Sequence, residues 1–142
     1  MVKIAVQYQE ISYTENWQIK HWRSITSAYN HAPFFEFYKD EIYSILMEKN
    51  IYLFELNYKL IKIITSNLEI KLPGISLNWE KLPSNYIDKR NEIHPKREHD
   101  ENYINYNQVF SRKFGFTSNL SILDLLFNLG PDAHLYLLEK IK

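Results

Sequence analysis

Residues 20–23 read Lys-His-Trp-Arg, which places a titratable imidazole between two cations. An imidazole near neutrality can take a proton from an amine or hydroxyl nucleophile, so His21 is a candidate general base. Lys20 and Arg23 can hold a phosphate or carboxylate beside it. The same three residues also fit an ordinary helix face with one hydrogen-bonded histidine and two solvated cations. A second group lies in the stretch DKRNEIHPK at 88–96, where Arg90 can clamp an anion with both arms of its guanidinium if Asp88 holds the plane, and His94 and Lys96 add donors. Its alternative is a solvated run of mixed charge. The third group is Tyr106, Gln108, Asn119, Asp124 and Asn128. Its phenol and amides could read a sugar or an amide-bearing ligand, with Asp124 as acid or base if desolvated. Against that reading, Asp124 sits where a helix start needs a cap, and Asn128 where a helix end needs one.

Several chemistries have no residues to carry them. There is no cysteine, hence no disulfide, thiolate metal site or cysteine nucleophile. The three glycines, at 74, 115 and 130, leave no GxGxxG and no Walker loop, and no GxSxG elbow is present. His94, His99 and Asp100 do not have the spacing of a helical metal motif, so no metal is assigned and no cofactor is named. Seventeen Lys and Arg balance seventeen Asp and Glu, which argues against a general nucleic-acid binder. No run approaches the ~20 apolar residues of a membrane span, and the first ten residues lack the apolar core of a signal peptide, so a cytoplasmic location is expected. An apolar fraction of 45% with 15% aromatics over 142 residues gives one folded domain with an aromatic-rich core.

The elements that must position these groups are expected to be mostly helical. Ser12 and Glu15 form a possible capping box for a first helix at 15–30, with Ile19, Trp22, Ile25, Thr26 and Tyr29 as its apolar stripe. Trp17, His21, Ser24 and Ala28 share a different face. Pro33 opens a second helix, Asn50 can cap a third, and Leu53, Leu56, Leu60 and Ile64 keep one stripe of it, with Asn57 beside them as a buried hydrogen-bonding group. Alternation predicts short strands at Ile4, Val6 and Tyr8, at 68–72 and at 75–79. The most fully specified stretch is NLSILDLLFNLGP at 119–131, with Ser121 and Asp124 as a capping box, an apolar centre and a Gly130-Pro131 stop; it is the expected central helix. In the last helix, at 131–141, Leu135, Leu138 and Ile141 form one apolar side. The expected fold is therefore α+β, a single domain of four or five helices with a few short strands.

The run YNQVFSRKFGFTSNLSILDLLFNLGP, Tyr106 to Pro131, resembles the carboxy-terminal signature of the WbqC-like family, bacterial proteins often encoded beside genes for O-antigen and other surface-polysaccharide synthesis. A second similar block is WQIKHWRSITSAYNHAPFFEFY at 17–38, with weaker ones at Asp88-x-Arg90 and Pro95-Lys96. Family members carry a proline- and aromatic-rich segment ahead of these blocks, so the resemblance implies a short or amino-terminally truncated member. It also implies surface-polysaccharide biosynthesis, with acyl or aminoacyl transfer to an amino sugar or sugar nucleotide as the candidate reaction. In that scheme His21 takes the proton of the attacking amine, Arg23 and Arg90 hold an anionic donor or diphosphate, and Gln108 or Asn119 orients the sugar. The alternative is a non-catalytic ligand-binding or partner domain, in which an unpaired strand at 3–8 accepts a strand from another chain or a second copy.

Overall fold

Three long amphipathic segments and two short apolar ones account for the architecture seen in a computed structural model, which describes residues 5–72, 74–75, 88 and 103–140. The chain divides into one unit made of Met1–Leu72 with Ile104–Lys142 and a second unit, Pro73–Tyr103. Among the described residues the regular elements lie in the first unit. They are α1 (Trp17–Tyr29), α2 (Phe35–Met47), α3 (Leu53–Asn67), a single turn α4 (Ser111–Phe114), α5 (Ile122–Leu129) and α6 (Ala133–Lys140), with 3-10 turns at Val6–Tyr8 and Gly130–Asp132.

Among the described residues there is no β-strand, so the α+β expectation is corrected to an all-helical one. Val6–Tyr8 closes as a 3-10 turn rather than a strand. The extended backbone that follows makes one antiparallel bridge, Glu10 to Tyr52, with Ile11 N–H to Ile51 O at 3.0 Å and Leu53 N–H to Gln9 O at 2.8 Å. Pairing stops there because Leu53 already enters α3 and Tyr8 belongs to the turn. At 68–72 the alternation also fails to become a strand: Leu68 is buried, but Glu69 takes a left-handed φ of 53° and Ile70 is exposed. Residues 76–79 lie outside the described residues. The acceptor edge expected at 3–8 is thus not formed where it is described.

Helix starts depart from expectation for a shared reason, that short polar side chains have better partners than the helix end. Asn16, not Ser12, precedes α1. The Ser12 hydroxyl meets Thr14 Oγ1 at 3.0 Å, and Glu15 pairs with Lys20 at 2.8 Å. Asn50 is buried away from the start of α3, where Tyr52 stands in its place. Asn57 is exposed.

Helix α5 is the centre, with Asp124 to Asn128 all buried. Ser121 accepts the Leu123 N–H at 3.3 Å, which is half of the capping box; the other half is missing because Asp124 turns inward. One core group joins Phe127 to Ala32, Phe35 and Ile42 with Trp22, Ile25 and Tyr29 packed on it, and a second joins Leu125 and Leu126 to Leu68 and Ala133. The helix stops at Gly130, whose φ is +56°, and a Cβ there would lie 2.5 Å from the Phe34 ring, so both conformation and space call for glycine. Phe34 N–H in turn donates to Phe127 O at 2.9 Å, tying the turn before α2 to α5.

In α6 the inward side is Ala133, Tyr136 and Leu137, spaced as a helix face requires. The steps of three read from the sequence picked the wrong side: Leu135 and Leu138 are 57% and 47% exposed, and Ile141 lies outside the described residues. His134 anchors the helix, its Nδ1 lying 2.5 Å from the Leu68 carbonyl at the end of α3.

Candidate functional site: an apolar cleft beside His21

The His21 face of α1 opens on a cleft of about 390 Å³. Ile25 lines it from α1, Ile42 and Leu46 from α2, Leu60 and Ile64 from α3, and Leu123 from α5. His21 and Ser24 supply its polar margin, three residues apart on one helix face. Its walls thus come from the aliphatic stripes of four helices. The Ser24 hydroxyl donates back to the Lys20 carbonyl at 3.0 Å. His21 is exposed, and its ring meets Trp17 edge-on with centroids 5.4 Å apart. A wall of aliphatic carbon with a solvent-reachable imidazole at its lip can hold an apolar tail and leave a polar reacting group beside a base.

The flanking cations are less well placed. Lys20 is drawn to Glu15, and Arg23, two residues beyond His21, projects from a different side of the helix. The second sequence group is described only at Asp88, which is exposed. Arg90, His94, Lys96, His99 and Asp100 lie outside the described residues. Among the described residues no group of three His, Cys, Asp or Glu could hold a metal, and no helix is long and apolar enough to cross a membrane.

The third group does come together, as a buried network. Tyr106 donates its hydroxyl to Asp124 Oδ2 at 2.6 Å, and Gln108 Nε2 reaches the same oxygen at 3.3 Å. Gln108 also brackets Thr117, giving Nε2 to its carbonyl and accepting its N–H on Oε1, both at 2.9 Å. Asn128 donates to the Asp124 carbonyl at 2.8 Å. Gln108, Asp124 and Asn128 are at most 8% exposed. Asn119 stands apart: it is exposed and holds a left-handed turn, φ 55°, before α5. The network is an internal clip that fastens the segment 106–117 onto α5, with the Gln108 amide engaged at both ends.

Two tyrosines record the clip. Burial, then the hydrogen bond to Asp124, pushes the Tyr106 hydroxyl well above its usual range. Tyr29 is raised by burial and then by the Asp124 charge and hydrogen bond. Raised tyrosine pKa values mean that the folded state favours the neutral phenols, so their contribution is complete below about pH 10, where unfolded tyrosine ionises, and is lost above it. Urea unfolding between about pH 9 and pH 11 should show stability falling on the alkaline side, less steeply in Tyr106→Phe. The same variant should lose about 1.5–3 kcal/mol at neutral pH, because Asp124 loses its shortest donor.

The model of the WbqC-like protein family matches residues 3–86 and 81–136. The chain belongs to the WbqC-like family. No curated protein and no solved structure matches it. Membership is consistent with a polysaccharide-related role. In this WbqC-like chain the two blocks that carry the resemblance pack on each other, with Phe127 against Phe35 at 5.1 Å and against Tyr29 at 5.2 Å between ring centroids. Much of what the blocks encode is therefore core, and the cleft is the candidate site. His21, singled out by the sequence, lies at the margin of a cleft whose lining is assembled from four helices. The face shared by Trp17, His21 and Ser24 was its one visible sign.

Proposed function

We propose that the chain acts in surface-polysaccharide, O-antigen-type biosynthesis by transferring an acyl group to the amine of an amino sugar or sugar nucleotide. The observation that carries this reading is the apolar cleft with His21 at its margin. Its aliphatic walls suit the chain of an acyl donor. They suit an aminoacyl donor less well, since its ammonium would be desolvated against carbon. In the step itself, the amine nitrogen attacks the donor carbonyl carbon and His21 takes the proton released as the N–C bond forms. The bond to the leaving group breaks with its electron pair, and His21 returns the proton to that group. Arg23 remains a proposed partner of the anionic part of donor or sugar nucleotide. Asp124, Tyr106 and Gln108 are given a positioning role through the clip, and Asn119 the turn ahead of α5.

The cleft sets the donor. With acyl thioesters of increasing length and a nucleotide-linked amino sugar as acceptor, Leu60→Trp should shift the preference toward shorter chains and Leu60→Ala toward longer ones. An unchanged length preference in both variants would remove the cleft as the acyl site.

A further inference from the structure

An acyl cleft accounts for the donor and leaves the sugar without a place. Outside the cleft's lining, one turn and more before His21, Tyr13 and Trp17 continue from its imidazole as a row of three rings. Tyr13 and Trp17 have centroids 5.8 Å apart and Trp17 and His21 5.4 Å. The row is held from behind. Trp17 Nε1–H donates to the Ser12 carbonyl at 3.0 Å, so the polar atom of the indole is turned back to the backbone. The Tyr13 hydroxyl donates to Asn50 O at 2.9 Å and accepts Asn50 N–H at 3.0 Å, fixing it to the connection between α2 and α3. Trp17 is only half-buried, and the large core groups around Phe127 and Leu126 do not include it. Part of its ring is thus surface that the core does not use. Pyranose rings present a face of C–H bonds that packs on such an indole while their hydroxyls stay in water.

We infer that Trp17 is the stacking platform for the acceptor amino sugar, an inference that rests on the acyl-transfer reading for the sugar's amine but on the ring row for the site. A pyranose on Trp17 has its substituents one ring-width from the His21 imidazole. The amine then reaches the base while the acyl chain lies in the cleft. Trp17 is a specificity-determining residue in this arrangement, and the ligand class is a single amino-sugar ring, with or without a nucleotide.

The test is binding of methyl glucosaminide, followed by NMR through the Trp17 indole N–H resonance, which is assigned by its absence in Trp17→Phe. In the wild type that resonance should move on titration. Trp17→Ala should weaken binding, read by calorimetry, about tenfold or more, the scale of losing one stacking ring. Trp17→Phe, which keeps a ring and loses the bond to Ser12, should retain most of the affinity. A thermal unfolding midpoint for Trp17→Ala accompanies the titration; if it falls, the Trp17→Phe result decides. No movement of the indole resonance in the wild type, or equal affinity in all variants, would overturn the platform. Sugar binding at Trp17 without any acyl transfer would sink the transfer reading and keep the platform. Transfer with an unchanged acceptor KM in Trp17→Ala would do the reverse.

Discussion

Phe127→Ala should destabilise the protein by about 3–5 kcal/mol, a large share of the ~5–15 kcal/mol that holds a domain of this kind together. The ring is fully buried and stands between α1 and α2, edge-on to Phe35 and tilted against Tyr29. Truncation removes the transfer energy of the ring and leaves a cavity that three separate helices would have to close. The neighbouring backbone cannot follow easily, because Phe127 O accepts the Phe34 N–H and Phe34 is itself pressed over Gly130. Phe127→Leu keeps most of the volume and should cost less than about 1.5 kcal/mol. Urea unfolding midpoints with unchanged m values are the measurement, and similar midpoints for both variants would show that α5 is not the centre of the core.

Asp124→Leu is expected to cost about 2–3 kcal/mol although it replaces a buried polar residue by an apolar one of similar size. The reason is what stays behind. Tyr106 loses its acceptor at 2.6 Å, Gln108 keeps only Thr117, and the Tyr29 hydroxyl loses the carboxylate that its raised pKa reports. Asp124→Asn retains one acceptor and should cost about half as much. Combined with Tyr106→Phe, Asp124→Leu should show non-additivity of about 1–2 kcal/mol, since the second substitution removes a group the first had orphaned. The clip reading also separates structure from chemistry: Asp124→Asn should keep its turnover per folded molecule. Strict additivity would mean that Tyr106 and Asp124 do not act as a pair.

The sequence made α5 legible because its start, centre and stop agreed: a serine cap, an apolar run and a glycine that turns left-handed under the Phe34 ring. The same capping pattern at Ser12 and Glu15 misled, because Thr14 and Lys20 offered those side chains closer partners. Strands were read from three-residue alternations, which are too short to tell a ladder from an extended turn, and a ladder also needs a partner strand that local sequence does not reveal. Long-range polar bonds had no sequence signal. His134 reaches Leu68 across 66 residues, and Tyr13 reaches Asn50 across 37.

The candidate site divides along the same line. Residue types single out His21, since a titratable ring on one helix face with a tryptophan is visible in a helical projection, and the structure sets it at the cleft margin. The grouping of Tyr106, Gln108 and Asp124 was also visible. Its meaning was not, because burial decides whether an amide is available to a ligand, and Gln108 is buried with its amide engaged. Beyond the shared face of Trp17, His21 and Ser24, the cleft had no sequence sign. Its walls are residues that each look like ordinary core stripe, Ile42 and Leu46 among them buried, and only the arrangement of four helices sets a cleft between them.

The most direct test of the account is the turnover of His21→Ala with an acyl thioester donor and a nucleotide-linked amino sugar, measured beside its thermal midpoint. His21 is exposed and its ring meets that of Trp17 outside the buried core groups, so the fold should be kept. The account predicts a fall in turnover of roughly 10²–10⁴-fold, the range expected for loss of a general base, with the midpoint unchanged. Full turnover in the folded variant would contradict it.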